Sequence, residues 1–169
     1  LGAVRIPLAD VIQTLMGKTV SKRWDIIIWN IRLPQALTAI VAGIGLSVAG
    51  AAMQSILRNP LGSPFTLGIS HAAAFGAALS VMLLGTGVMH SSGTDAVRIM
   101  NPWFTTLAAF AFSLVATGII IMISKIRRAS PEVMILTGVG LGSLFTAGTM
   151  FLQYFADDVQ LAAMVFWTF

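Results

Sequence analysis

The side chains of this sequence that could carry out chemistry are few and scattered. The aspartates fall in predicted loops or at helix ends, and no two share a helical face as paired acid–base catalysis requires: Asp10, Asp25, Asp95, Asp157 and Asp158. Ser70 and His71 are neighbours, so on a helix they point about 100° apart and cannot pair as nucleophile and base. The chain lacks cysteine and any phosphate-binding Gly-x-x-x-x-Gly-Lys loop. We therefore expect no enzyme activity, no metal site and no cofactor.

His71 is the one histidine placed inside a predicted apolar helix. Neither a carboxylate nor a second histidine stands three or four residues away. A metal site on a helix usually supplies such a second ligand. We interpret His71 as a packed or hydrogen-bonded side chain rather than as a ligand.

Composition places the chain in a lipid bilayer. Hydrophobic residues make up 57% and charged residues 9% of the sequence, and the mean hydropathy is +0.90. Globular proteins carry roughly 25% charged residues. The ten basic residues are spread over segment boundaries and form no basic face with interleaved aromatics, which argues against nucleic-acid binding. The predicted fold class is all-α: a polytopic membrane helix bundle.

Long uncharged segments define the predicted spans. Residues 33–57 carry no charge, and a helix of that length is about 37 Å long, enough to cross a hydrocarbon core of about 30 Å. We expect one transmembrane domain, 1–169, with about four spanning helices and interfacial amphipathic helices. The expected parts are an interfacial segment, 1–31; transmembrane helices 33–57, 64–84, 102–124 and 131–156; and a final uncharged segment, 159–169, that is too short to span.

Prolines mark the expected helix boundaries. Pro34 suits a first helical turn, and Asn59-Pro60 cannot continue a helix. Ser63 is the predicted N-cap of the second spanning helix, with Pro64 at its first position. Asn101-Pro102 and Ser130-Pro131 repeat this cap-and-proline pattern at the third and fourth helices.

Small residues follow helical spacing in two of the spans. Gly43, Ser47 and Gly50 recur every three to four residues, a spacing that lets helix backbones approach closely in lipid. Gln54 is expected to bond a neighbouring helix or a headgroup water. Gly138 and Gly142, with Ser143 and Thr146, make the fourth helix either tightly packed or the lining of a solute path, and the residues alone leave both open.

Before the first span, apolar residues at helical spacing predict an interfacial helix. They are Leu8, Val11, Ile12, Leu15 and Met16, and Gly17 is the expected end of the helix. Trp24 and Trp29 suit an interfacial aromatic belt.

Four blocks of residues follow one another in the first part of the chain. In order, they are Arg32-Leu33-Pro34; Ser47-Val48-Ala49-Gly50 with Gln54; Arg58-Asn59-Pro60-Leu61 with Pro64; and Leu67-Gly68-Ile69-Ser70. They resemble the RLPR, SGxxxQ, NPLAxP and LGIS blocks of one family, the permease subunits of ABC importers for iron-siderophore complexes, haem and vitamin B12. The resemblance covers the whole chain but only the N-terminal half of such a permease, so it implies a fragment of a larger permease. It also implies that segment 1–31 is interfacial or extracytoplasmic and that 159–169 is the start of a short re-entrant or surface helix. The chain departs from the family at Gln35, Gly62 and His71–Ala73.

The resemblance implies a permease without its own motor, which moves a metal chelate from a binding protein into the cytoplasm. Arg32 would be a docking cation for the periplasmic or lipid-anchored substrate-binding protein. The turns Asn59 to Leu61 and Ser130-Pro131-Glu132 would form the cytoplasmic gate, and Gly138, Gly142, Ser143 and Thr146 would line the translocation path. The implied partners are a second permease copy, a cytoplasmic ABC ATPase and membrane lipid, and the implied location is the inner, or cytoplasmic, cell membrane.

Charge does not determine the orientation. Alternating the four helices places six basic residues on one side, Arg5, Lys18, Lys22, Arg23, Arg32 and Arg98, and four on the other, Arg58, Lys125, Arg127 and Arg128. The larger group opposes the family topology, in which the side with Arg58 is cytoplasmic. We follow the resemblance for orientation.

The rival hypothesis is an autonomous small membrane protein, either a dimeric secondary carrier or a membrane scaffold. Secondary carriers usually place ionisable groups at mid-membrane, and only His71 qualifies here. Transport without an ATPase would favour this rival.

Overall fold

The chain is all-helical, as predicted, apart from one short strand pair. The computed structural model describes residues 4–18, 20–84, 87–88, 98–99, 102–126 and 130–168. Two-residue strands β1 (Gly87–Val88) and β2 (Arg98–Ile99) pair antiparallel, with Gly87 opposite Ile99. The helical elements are α1 (Leu8–Leu15), α2 (Lys22–Asp25), a π-helical segment (Ile26–Arg32), α3 (Leu33–Leu57), α4 (Ile69–Leu84), α5 (Pro102–Ile126), α6 (Pro131–Phe155) and α7 (Asp158–Thr168).

Three helices in the described residues are long and apolar enough to cross a membrane: Lys22–Leu57, Pro102–Ile126 and Pro131–Phe155. The fourth expected span, α4, is apolar but has only 16 residues, about 24 Å of helix. The predicted boundary residues Asn101, Arg127 and Arg128 lie outside the described residues.

Pro34 does not begin a helix, contrary to our prediction. Helical backbone continues without a break from Lys22 to Leu57. A proline removes one backbone N–H and crowds the preceding turn of an α-helix. The π-helical segment Ile26–Arg32, immediately before Pro34, widens that turn, which is how a helix can pass a proline. The expected division between 1–31 and 33–57 is therefore not a helix boundary.

The predicted helix 64–84 also begins later, at Ile69. Ser63 does cap a turn, because its Oγ accepts a hydrogen bond from the Thr66 N–H at 3.3 Å and the Thr66 Oγ1 accepts one from the Ser63 N–H at 3.1 Å. The turn does not continue into a helix, since Gly68 has a φ of +71°. A left-handed residue reverses the backbone, so α4 can start only after it.

Two helix ends share the same hydrogen-bond pattern with different residues. After α1, the Gly17 N–H donates to Thr14 and the Lys18 N–H to Gln13. After α3, the Arg58 N–H donates to Ser55 and the Asn59 N–H to Gln54. This is the Schellman motif, whose left-handed position is usually glycine. Gly17 fills it at φ +81° as predicted, whereas Arg58 fills it at φ +48° and bears a steric cost.

The chain forms two compact units, residues 1–49 and 50–169, and each is described by itself. In the first, α1 buries Thr14 and exposes Leu8 and Met16, each 75% exposed, as expected of an amphipathic helix at a lipid surface. Ile28 is the buried apolar side chain of the π-helical segment.

The second unit is built around α4. Three buried clusters lie at its start, middle and end: Leu57, Leu67 and Ile120; then Ala72, Ala116 and Phe145; then Ala78, Val81, Ala163 and Met164. Helix α5 contributes buried residues to the first two clusters, α6 to the second and α7 to the third. In the middle layer, Phe75 packs against Phe112 and Phe145 with ring centroids 5.2 and 5.6 Å apart.

Candidate functional site

An open groove of about 660 Å³ runs along α6 in the second unit. One wall is formed by Phe65, Thr66 and His71, and the other by the face of α6 from Ile135 to Met150. The lining is mostly apolar with hydroxyl and imidazole groups, which is typical of a binding site for an organic solute. We take this groove as the candidate functional site.

The base of the groove is a contact between two backbones. A Cβ on Gly68 would lie 2.6 Å from the Gly138 carbonyl oxygen and 2.7 Å from the Gly142 nitrogen. A Cβ on Gly138 would lie 2.6 Å from the Leu67 Cα. These distances are too short for any side chain, so only glycine allows α6 to approach the segment before α4 this closely.

The four residues assigned to a translocation path therefore divide into two pairs. Gly138 and Gly142 are buried in this backbone contact and only border the groove. Ser143 and Thr146 lie along its open side. Their hydroxyls donate to the carbonyls of Val139 at 3.0 Å and Gly142 at 2.8 Å, so each presents oxygen lone pairs to the groove.

His71 lies where α4 begins, with its ring centroid 4.9 Å from that of Phe65. Its Nδ1 is buried and has no hydrogen-bond partner among the described residues. A Cβ on Gly142 would be 3.5 Å from this nitrogen. The expectation of a packed histidine agrees with this contact, but Nδ1 does not form the hydrogen bond we considered.

The Asn59–Leu61 turn is held by its own side chains. The Asn59 Oδ1 accepts a hydrogen bond from the Leu61 N–H at 2.9 Å, and the Gln54 amide donates to the Pro60 carbonyl at 2.9 Å. Gln54 thus donates to the turn that follows its own helix, and the expected bond to a neighbouring helix or a headgroup water stays a prediction. Leu61, at the tip, is 81% exposed.

The second predicted gate segment opens α6. The Ser130 Oγ accepts from the Val133 N–H at 3.3 Å, and Pro131 is the first helical residue, as the cap-and-proline pattern indicates. Leu57, shortly before the first turn, and Met134, shortly after the second, contribute to the same apolar cluster. The structure therefore brings both turns to one end of the second unit.

In the first unit, the Arg32 guanidinium donates to the backbone carbonyl of Val4. The predicted docking cation is thus partly buried, and its hydrogen bond holds the segment before α1 in place.

On α3, the space around Gly43 and Gly50 is open, because a Cβ added to either glycine would meet no atom of the described chain within 4 Å. The Ser47 hydroxyl donates to the Gly43 carbonyl at 2.7 Å.

Sequence reasoning missed two groove residues, Phe65 and Thr66, because it placed them on a regular helix. Gly68 was the available signal, since a glycine before Ile69-Ser70 can end a turn as well as continue a helix.

Among the described residues, no group of three or more His, Cys, Asp or Glu side chains could hold a metal ion.

Three long apolar helices and a solute-sized groove define a polytopic helical membrane protein. The FecCD transport family matches residues 1–169, and the chain belongs to this family.

Similar proteins are permeases. A protein described as an ABC transporter permease from Methanocaldococcus jannaschii is 50% identical over 169 residues, which is 100% of this chain and 48% of the relative. The vitamin B12 import system permease protein BtuC of Escherichia coli O127:H6 is 32% identical over 153 residues, 90% of this chain and 43% of the relative.

One solved structure, an inward-facing conformation of a metal-chelate type ABC transporter, aligns with a TM-score of 0.71 and 26% identity. The alignment covers 93% of this chain and 49% of that chain. The chain thus spans about half the length of the relatives it matches.

Proposed function

We propose that this chain is part of the permease subunit of an ABC importer that moves a metal chelate, of the ferric siderophore, haem or cobalamin type, into the cytoplasm. The observation that carries the proposal is the family match over the entire chain. The groove beside α6 supports it, because its volume and mixed lining suit an organic solute.

The proposal includes the partners and location of such an importer. ATP hydrolysis is assigned to a separate cytoplasmic ATPase, because the chain belongs to a family of transport permeases. A second permease copy and a substrate-binding protein complete the complex in the cytoplasmic membrane. The Asn59–Leu61 turn and Ser130-Pro131-Glu132 form its inner gate.

Reconstituted uptake tests this proposal. The full-length permease, with its ATPase and binding protein, is placed in proteoliposomes and offered a ferric siderophore, haemin and cyanocobalamin in turn. We expect ATP-dependent uptake of one chelate, and none with an ATPase whose Walker A lysine is substituted. Uptake that continues without the ATPase would instead support a secondary carrier.

We further propose that Arg32 receives a carboxylate of the binding protein. Arg32→Glu should weaken docking about tenfold while leaving membrane insertion intact, because it places like charges opposite each other. Binding-protein affinity for the full-length permease in nanodiscs measures the effect.

Two control variants separate charge from structure in this experiment. Arg32→Gln keeps an N–H donor for the Val4 carbonyl but loses the charge, so it should also weaken docking. Arg23→Glu changes an exposed cation elsewhere in the same unit and should have little effect. Wild-type affinity in both Arg32 variants would refute the docking role.

A further inference from the structure

His71 borders two open spaces at once. Besides the groove along α6, it lines a second space of about 450 Å³ on the side of α7, together with Ser70, Ala74 and Trp167. Phe65 borders both spaces as well and packs against the imidazole ring. A side chain in this position contacts whatever occupies either space.

The surroundings of the ring determine which nitrogen carries the proton. Nδ1 is buried against α6 near Gly142 and has no acceptor among the described residues. An N–H at that position would be buried without a partner, which is unfavourable. The proton therefore belongs on Nε2, which is not among the buried unpartnered atoms of the described chain. The ring thus presents an N–H donor to open space.

The same geometry argues against a direct bond to a metal ion. A histidine that ligates a metal almost always donates its other ring N–H to a fixed acceptor. Nδ1 of His71 lacks such an acceptor among the described residues, and they supply no cluster of further ligands. An oxygen acceptor on an organic molecule fits the Nε2 donor better.

We propose that His71 is a solute-contact residue, whose Nε2–H donates a hydrogen bond to a carboxylate or carbonyl oxygen on the organic shell of the transported chelate. The close backbone contact of Gly68 with Gly138 and Gly142 holds the ring in place beside the groove. The assignment rests on the proposed transport function and adds a residue that selects the chelate by its oxygen groups.

A matched pair of amide variants tests the donor. Glutamine places its amide N–H near the position of Nε2, whereas asparagine reaches only to the buried Nδ1. In the reconstituted importer we expect His71→Gln to take up the transported chelate within about twofold of the wild-type rate, and His71→Asn to be slower by about fivefold. Wild-type uptake by His71→Asn, or equal loss in both variants, would overturn the proposal.

Thiol labelling tests the position of His71 without any chelate. In a full-length permease freed of other cysteines, His71→Cys and Thr146→Cys should react with a membrane-impermeant maleimide. Leu144→Cys on the opposite face of α6 and Ala116→Cys in the core should not react, whereas Lys18→Cys on the surface should.

The uptake and labelling experiments distinguish failure of the proposed function from failure of the His71 inference. If the wild-type importer takes up none of the chelates, the proposed function fails, and labelling still decides whether His71 faces a solute path. If the thiol of the His71→Cys variant stays unlabelled while that of Lys18→Cys reacts, His71 is covered by protein or lipid, and the further inference is wrong.

Discussion

Gly68 determines both where α4 begins and how closely the turn before it approaches α6. Its left-handed backbone ends the turn before α4, and its missing side chain lets that turn contact the backbone of α6. His71, one turn later, owes its place beside Gly142 to this contact. Gly62 is less crowded, because a Cβ there would meet the end of the Leu57 side chain at 3.0 Å and the Asn59 backbone oxygen at 3.2 Å.

We expect Gly68→Ala to destabilise the protein more than Gly62→Ala does. The positive φ alone costs an alanine at position 68 about 1–2 kcal/mol, and the overlap with Gly138 and Gly142 adds to it. Thermal unfolding of the full-length permease in detergent compares the two variants. Equal midpoints for Gly68→Ala and wild type would contradict the close approach.

At the scale of elements, each unit is described by itself. Within the first unit, the α3 side chains Ile40, Val41 and Ile44 are between 59% and 70% accessible. Within the second unit, α4 is packed by three other helices. A long apolar helix that exposes glycines at helical spacing is suited to a close helix contact. We propose that the face formed by Gly43, Ser47 and Gly50 packs against another part of the assembled permease.

Gly43→Leu tests this face. The leucine has open space in the described structure, so α3 itself should keep its helical form. In the assembled permease the added bulk should separate the packed backbones, and the yield of intact complex on size-exclusion chromatography should fall.

Gly45→Leu is the matched control for Gly43→Leu, because Gly45 lies about 160° away round the helix. It should leave the complex intact. The same loss of complex in both variants would show that bulk anywhere on α3 is harmful, and it would remove the argument for a specific face.

At the scale of the whole molecule, both predicted gate turns lie at one end of the second unit. They flank one apolar cluster of Leu57, Leu67 and Ile120, so they are coupled by packing. The exposed tip residue, Leu61, is apolar and 81% accessible. A permease dimer with an inner gate would cover this side chain by bringing the two tips together.

We expect Leu61→Cys to form a disulfide between two copies of the full-length permease under mild oxidation. Leu83→Cys, 72% exposed and near the other end of α4, is the control and should remain reduced. Cross-linked product on non-reducing gels measures the contact. Absence of a dimer band for position 61, with the complex otherwise intact, would count against the gate.

Much of this protein could be predicted from its sequence. Apolar length placed the long helices, and the cap-and-proline pattern at Ser130-Pro131 placed the start of α6. These features are local, since hydrophobicity, a missing N–H and a capping hydroxyl act within a few residues. The four residue blocks also carried the family resemblance, which the whole-chain match confirms.

Only the tertiary structure decided how these helices meet. The helix continues through Pro34 because a π-helical segment precedes it. Helix α4 begins at Ile69 rather than at the predicted position 64, because the turn before it contacts α6 through Gly68. Hydrophobic pattern cannot foresee either, because in a lipid-exposed chain nearly every face is apolar and periodicity no longer marks the buried side. Which glycines touch a backbone and which face open space depends on contacts between residues about 70 positions apart in the chain, such as Gly68 and Gly138.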